Sequence, residues 1–383
     1  MSTHWADAKR ILCVRLDGAG DLLMTTPALR ALREFSPARR LTLLTSPAGA
    51  AAARHVPEVD DVIVFRAPWM KPACGSNTDD AALAADLTAR RFDAAVVFTV
   101  YSQNPLPAAY LCRLADIPLR LAHCRENPYH LLTDWVPDPE PERLIRHEVR
   151  RQLDLVATVG CRPRDERLSF SLAPAAKRRV ARLLSSVGVA RHRQLVVAHP
   201  GASAASRRYP PELFAQALER LHALADCEIV LTGDEGETEL AERIIAGSRS
   251  PIRSLAGRLN LADLGALLAR ADVVISNNTA PAHIAAAVGT PVVDLYALTN
   301  PQHAPWLVEQ RVLYHDVPCR YCYKSICPEG HHACLRSVAP ETVAAAAAEL
   351  LDASLPVTAL PDAAGIALLP PLHPTLPAIE APL

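Results

Sequence analysis

The stretch Ala271–Leu295, ADVVISNNTAPAHIAAAVGTPVVDL, decides the fold. Val273, Val274 and Ile275 are a β-branched run of the kind that forms a buried strand. Asn277-Asn278-Thr279 breaks the run, Ala280 to Val288 reads as a helix, Gly289 stops it, and Pro291 to Leu295 starts another strand. Pro281 falls in the first helical turn, where its missing N–H costs nothing, and Asn278 or Thr279 stands where a cap belongs. The unit is strand, turn, helix, strand. Small Ala280 and Ala282 let a ligand approach the N–H groups of the helix start, whose partial positive charge suits a phosphate. The same unit also serves as plain packing in an α/β sheet, so the rest of the chain has to decide between the two.

Upstream, Leu195–His199 reads as a strand, followed by PGASAASRRYPP at Pro200–Pro211 and a helix over Glu212–Leu224. Small residues, hydroxyls and the paired Arg207 and Arg208 after a strand suit an anion site, since arginine is a forked, permanently charged donor; solvated loop arginines would give the same pattern. The next strand, Glu228–Thr232, runs into Gly233-Asp234-Glu235-Gly236-Glu237 and a helix to about Ala246. Acids there either accept hydrogen bonds from ribose hydroxyls or only offset the helix dipole. Leu255–Leu268 supplies a turn and a short helix before the opening unit.

The first half alternates in the same way. Ile11–Leu16 is a buried strand leading through Asp17-Gly18-Ala19-Gly20-Asp21 into a helix over Leu22–Phe35. An acid replaces the third glycine of a dinucleotide fingerprint, which argues against pyrophosphate at this turn. Asp21 is either a charged acceptor at the carboxyl edge of the sheet or simply a helix cap. Strand-like runs follow at Leu41–Thr45, Asp61–Phe65 and Ala94–Phe98, with helical stretches between, such as Asp80–Arg91. Turn-forming residues place loops at Trp69–Asn77 and Tyr101–Pro107. Arg143–Val159 reads as a helix closing this half, and Cys161–Ala173 as a connector. The expected organisation is α/β, with domains over 1–173 and 174–352, a last helix at Val338–Leu351, and a proline-rich, disordered tail over 353–383 that is a passive extension or a partner-binding segment.

Composition narrows the function. The 383 residues suffice for two ordinary domains, and 40 basic against 41 acidic residues exert no global pull toward nucleic acid or an acidic membrane. No apolar run approaches the roughly 20 residues of a spanning helix, and no signal-type core follows Met1–Lys9, so a cytoplasmic protein is expected. Of ten cysteines, Cys319, Cys322, Cys327 and Cys334 cluster as C-x2-C-x4-C-x6-C with His331 and His332 between them. A structural zinc site or free or redox-paired thiols both suit that spacing, in a loop near the active cleft.

Taken together, VRLDGAGDLLMTTPALRALR at Val14–Arg33, HPGASAASRRYPPELF at His199–Phe214, LTGDEGETELAERI at Leu231–Ile244 and the run from Ser254 to Val293 resemble glycosyltransferase family 9, which contains the ADP-heptose:lipopolysaccharide heptosyltransferases. The resemblance implies a GT-B arrangement of two Rossmann-like domains facing across a cleft, acceptor on the N-terminal one and nucleotide sugar on the C-terminal one. It implies inverting transfer, with heptose from ADP-heptose passing to a saccharide or lipid-linked saccharide of the lipopolysaccharide core, no cofactor required, and a cytoplasmic location peripheral to the inner membrane. Asp21, with Gly20 beside it, matches the catalytic base; Ser203 and Arg207 match phosphate contacts, Leu259 the backbone contact to the base, and Glu235 or Glu237 the ribose acid. Asn278, Thr279, Ala280 and His283 match the motif that grips diphosphate and sugar. The chain departs from the family pattern at Arg207, usually Lys, at Asn278, usually Asp, and at Tyr209, usually Trp. A different donor or acceptor on the same fold, and a non-catalytic nucleotide-sugar-binding scaffold, are the competing expectations.

Overall fold

The computed structural model describes residues 4–70, 80–190 and 192–352. The tail expectation over 353–383 and most of the Trp69–Asn77 loop therefore lie outside the described residues. Contacts divide the chain into one unit up to Glu166 and a second from Arg167. Each unit is built on one parallel sheet.

In the first unit the strands are β1 (Arg10–Arg15), β2 (Arg40–Thr45), β3 (Asp61–Val64), β4 (Ala94–Val97), β5 (Leu119–Cys124) and β6 (Asp134–Pro137), in the order β3-β2-β1-β4-β5-β6. The second unit holds β7 (Gln194–His199), β8 (Cys227–Leu231), β9 (Ile252–Ser254), β10 (Val273–Asn277), β11 (Val292–Leu295) and β12 (Gln310–Leu313), in the order β12-β11-β10-β7-β8-β9. Counted from its own first strand, the second sheet repeats the order of the first. That order places the topological reversal between β1 and β4 in one sheet and between β7 and β10 in the other. The central strands are apolar on both faces because helices cover both, as in β10, where Val273 to Asn277 are all buried.

Crossover helices supply the apolar faces that these sheets require. In the second unit Phe214, Leu218 and Leu221 of the helix Pro211–Leu224 pack with Val343, Ala344 and Ala347 of the helix Pro340–Leu351 in one core with Ile229 and Ile275. In the first, Leu12, Val14, Ala95 and Val97 meet Ala109 and Cys112 of the helix Leu106–Leu114. The alternation of the sequence is borne out as two parallel α/β sheets. Gly289 ends the helix Ala280–Val288 at φ 82, a left-handed conformation that glycine adopts without strain.

One expected helix is shorter than its periodicity suggests: Arg143–Val159 is helical only over Glu148–Ala157. The Glu140 carboxylate accepts the backbone N–H of Arg146 and pairs with its guanidinium, so residues 143–146 are held as a loop. His147 then caps, its Nδ1 accepting the Val149 N–H at 3.2 Å.

Gly265 lies in the helix Leu261–Leu268 against Phe170, and a Cβ built there would stand 2.2 Å from the ring. Overpacking of this kind costs about 1–3 kcal/mol. Gly265→Ala is expected to destabilise the second unit by that amount in urea unfolding, and an unchanged midpoint would show that the ring moves aside freely.

Candidate active site

Arg15, the last residue of β1, is wholly buried and meets three carboxylates. Its Nη1 donates to Glu148 Oε1 at 2.8 Å, its Nε lies 2.9 Å from Asp17 Oδ2, and its Nη2 lies 3.4 Å from Asp21 Oδ1. Of these only the Glu148 contact has hydrogen-bond geometry; Nε and Nη2 are buried and make no hydrogen bond among the described residues. Burial opposes the guanidinium charge, yet Asp17, Glu148 and Asp21 outweigh it and hold the arginine protonated more firmly than usual. Burial pushes Asp17 up to about 6 against the pull of Arg15. Burial likewise raises Glu148, again opposed by Arg15.

Asp21 is the third residue of the helix Ala19–Phe35, and its Oδ2 accepts the N–H of Gly18 at 3.2 Å. The capping role is therefore real. Its side chain is also 24% exposed, against 0% for Glu148 and 10% for Asp17, so of the three acids it is the one a solute reaches most readily. Gly20 lies in the same first turn. Glu148 was not among the residues that sequence reasoning singled out; it arrives from a helix more than a hundred residues downstream.

In the second unit the predicted residues fall on the loops after β8, β7, β9 and β10, at the carboxyl ends of neighbouring strands. Ser203 is exposed after β7, and Arg207 ends the short turn Ala205–Arg207. Arg208 is engaged by the loop itself, its Nε donating to the Ala202 carbonyl at 2.7 Å. Among the described residues no carboxylate lies within ion-pairing distance of either Arg207 or Arg208, so the bond to Ala202 is what separates the two arginines that the sequence could not. Leu259 is half-buried just before the helix Leu261–Leu268.

Glu235 is exposed, whereas Glu237 is half-buried and accepts the Asp234 N–H at 3.0 Å as part of a capping box. The Glu237 carboxylate lies over Gly201, where a Cβ would come within 1.9 Å of Oε1, and 3.8 Å from His199 Nε2. Gly201 is thus a glycine for the sake of a side chain from the turn that follows β8. Burial lowers His199 to about 4, so it is a neutral imidazole whose Nδ1 meets Thr232 Oγ1 at 3.0 Å.

Thr279 occupies the N-cap position of the helix Ala280–Val288 without a side-chain capping bond; its Oγ1 instead donates to the Asn277 carbonyl at 3.3 Å. Its side chain therefore leaves the N–H groups of the helix start uncapped. Ala280 is half-buried there and His283 is buried behind it. Asn278 is turned inward: its Nδ2 donates to Asp294 Oδ2 and to the His303 carbonyl, each at 2.8 Å. Asn277, singled out only as a chain break, is the staple of the site. Its Nδ2 donates to the Pro200 carbonyl at 2.7 Å and its Oδ1 accepts the Tyr209 N–H at 3.0 Å, tying the Arg207 loop to the end of β10.

The cysteine segment packs on that loop. Ser206, beside Arg207, donates its N–H to the Ser325 carbonyl at 3.0 Å and its hydroxyl to the Lys324 carbonyl at 2.7 Å, and its own carbonyl meets His332 Nε2 at 2.7 Å. Cys319, Cys322, Cys327 and Cys334 are free thiols, and Cys319 Sγ lies 3.8 Å from His331 Nε2. Among the described residues no three His, Cys, Asp or Glu side chains are grouped to hold a metal ion. The spacing left a structural zinc and free or redox-paired thiols open, and the four thiols lie near enough to act on one another electrostatically, as Cys319, Cys322 and Cys327 do on Cys334. Among the described residues no helix is long and apolar enough to cross a membrane.

The sequence profile of glycosyltransferase family 9 (heptosyltransferase) matches residues 81–333. A relative, lipopolysaccharide heptosyltransferase 3 of Escherichia coli, is 27% identical over 295 residues, covering 75% of this chain and 82% of that protein. Among solved structures, the glycosyl transferase family 9 protein of Veillonella parvula superposes with a TM-score of 0.72 at 21% identity, covering 92% of this chain and 98% of that one. The E. coli ADP-heptose lps heptosyltransferase II gives 0.68 at 23% identity, covering 89% and 98%.

Asp294 gives a test of the inward-facing pair. Burial pushes it up to about 7, partly offset by the Asn278 amide, and its Oδ1 is buried without a hydrogen bond. An unfolded aspartate titrates near 3.9, so between about pH 4 and 7 the folded chain keeps a proton that the unfolded chain releases. Stability supplied by that protonated acid is complete below about pH 4 and is lost as pH rises toward 7, at up to about 1.4 kcal/mol for each step of one in pH. Asp294→Asn should flatten this part of a Tm-against-pH curve; a slope equal to that of the parent would show that Asp294 does not carry it.

Proposed function

Because the chain belongs to glycosyltransferase family 9, the heptosyltransferase family, and is a glycosyltransferase, we propose that it transfers heptose from ADP-heptose to a saccharide of the lipopolysaccharide core. The observation that carries the proposal is Asp21: a carboxylate held at both oxygens, partly open to solvent, at the carboxyl end of β1. Support for the donor comes from relatives and structural neighbours whose names specify lipopolysaccharide and ADP-heptose.

In this reading Asp21 takes the proton of an acceptor hydroxyl as its oxygen attacks the anomeric carbon. The new C–O bond forms on the face opposite the diphosphate, the bond to the diphosphate oxygen breaks, and ADP leaves with inverted configuration at the sugar. Arg207, Ser203 and the uncapped N–H groups from Thr279 and Ala280 onward receive the charge that grows on the diphosphate. Arginine in place of the usual lysine keeps that charge and adds a second donor in the plane. Glu237, fixed by its capping bond, or the exposed Glu235 accepts from the ribose, and the backbone at Leu259 meets the base. Asn278 and His283 act from behind, holding the helix start in place. No step requires a metal, since the cationic and N–H donors lie in the protein. The N-terminal unit takes the acceptor and the C-terminal unit the donor, in a protein of the cytoplasmic face that meets a lipid-linked substrate.

Calorimetric binding of ADP, ADP-heptose, UDP-glucose and GDP-mannose tests the donor. Preference for the ADP pair is expected, weakened at least tenfold by Arg207→Ala, because a lost charge-assisted contact to phosphate is worth about 1.5–3 kcal/mol. Preference for another nucleotide would discard the donor assignment. Asp21→Asn is expected to bind ADP like the parent and to lose transfer by about 10²–10⁴-fold, the usual contribution of a positioned base; retained turnover would remove Asp21 from that role.

A further inference from the structure

We propose that Arg15, backed by Glu148, is the positioning residue for Asp21: it fixes the orientation of the carboxylate and sets, by its charge, the pH at which that carboxylate works. This role rests on the reading of Asp21 as the base, and it follows from the geometry of the first unit. Asp21 is held at two points, Oδ2 by the Gly18 N–H at 3.2 Å and Oδ1 by facing Arg15 Nη2 at 3.4 Å. The first hold belongs to any capping box. The second needs a whole positive charge buried at the end of β1, which a cap alone does not require.

The surroundings of Arg15 indicate what that charge is for. Glu148, fully buried, takes Nη1 at 2.8 Å and is itself fixed by Gln152, whose Nε2 donates to it at 2.7 Å and to the Thr99 carbonyl at 3.0 Å. Asp17 takes the Nε side and is held by the amide of Gln103. The guanidinium is thereby locked in its plane, and the remaining Nη2 is buried, without a hydrogen bond, and nearest to Asp21. Among the described residues the charged groups that face Asp21 include Arg15 from β1, Asp17 from the following loop and Glu148 from the helix Glu148–Ala157, with Gln103 neutral beside them. Of the two buried acids only Glu148 meets Arg15 with hydrogen-bond geometry, so Arg15 and Glu148 are the opposed pair that bears on Asp21. Removing the cation favours a protonated Asp21; removing the buried anion favours an ionised one.

The two variants must therefore move the same titration in opposite directions. The assay is transfer from ADP-heptose to lipopolysaccharides truncated stepwise in the core, with kcat and KM followed against pH, since the acid limb of kcat reports the base in the bound complex. Arg15→Met should lower kcat about a hundredfold, as a base misplaced by an ångström does, and shift the acid limb to higher pH. Glu148→Gln should shift that limb to lower pH. Arg15→Lys, keeping the charge but not the fork, should leave the limb in place and lower kcat about tenfold with acceptor KM unchanged. A limb unmoved by both neutral variants, or a loss carried by KM, would overturn the proposal. If the Arg15→Met core does not fold, as thermal unfolding would report, Glu148→Gln and Arg15→Lys bear the same test. Asp21→Asn run alongside separates the failures: full turnover in it removes the base assignment itself, whereas an inactive Asp21→Asn with unmoved limbs removes only the role of Arg15.

Discussion

A parallel sheet whose strand order reverses in the middle sends successive crossovers to opposite faces, and the carboxyl ends of the two central strands are left without a connection over them. This constraint acts twice here, between β1 and β4 and between β7 and β10. The chemical groups of both units follow from it. Asp17 and Asp21 come off β1, the Arg207 loop comes off β7 and the uncapped helix start comes off β10. A helix N-terminus pointing at such an opening carries exposed N–H groups and partial positive charge, so it attracts an anionic group. In the first unit the chain itself supplies that anion, Asp21. In the second it supplies none within the turn and instead places Arg207 on the adjoining loop.

The two halves handle charge differently. Around Arg15 three acids converge in a buried setting, where removing one partner of a buried pair costs about 3–5 kcal/mol. Such an arrangement is rigid because each contact is costly to break. In the second unit the local order comes from neutral groups: Asn277 ties the Pro200–Tyr209 loop to β10, and carbonyls of Lys324 and Ser325 hold Ser206. Neutral tethers position Arg207 without cancelling its charge, which suits a phosphate site as an acid beside the arginine would not.

This contrast also explains what was legible in the sequence. Strand and helix alternation was plain because buried parallel strands are continuous apolar runs and their helices have periodic faces, and the four sequence blocks fall on the loops at the strand ends. Contacts across long sequence separations were not plain. Glu148 meets Arg15 across 133 residues, and nothing in RLIRHEVRRQLDL distinguishes it from a solvated helix acid. The same charged run misled the reading of helix length, because Arg146 is bound to Glu140 and not to solvent. Arg207 and Arg208 are indistinguishable as neighbours, and only the Arg208 bond to Ala202 separates them. The cysteines carry a metal-like spacing, but spacing reports only the length of chain between thiols, and the packing of their segment on Ser206 was not legible from it.

Asn278 shows how a departure from a family pattern is to be weighed. Read alone, an amide where the pattern has an acid loses a charged acceptor at the donor site. In the fold its amide faces Asp294, wholly buried on β11, and the His303 carbonyl. An acid at 278 would set a second carboxylate 2.8 Å from that of Asp294 in a site closed to solvent, and two such groups cannot both be ionised there. The amide and the Asp294 acid are therefore complementary: one donates where the other accepts, with one acid in the pair instead of two. The exchange is an internal matching between β10 and β11, two strands paired through Val274 with Val292 and Asn277 with Leu295. It thus bears on how the helix start at Thr279 is held, and the choice of sugar has to be sought in the side chains that face outward from it.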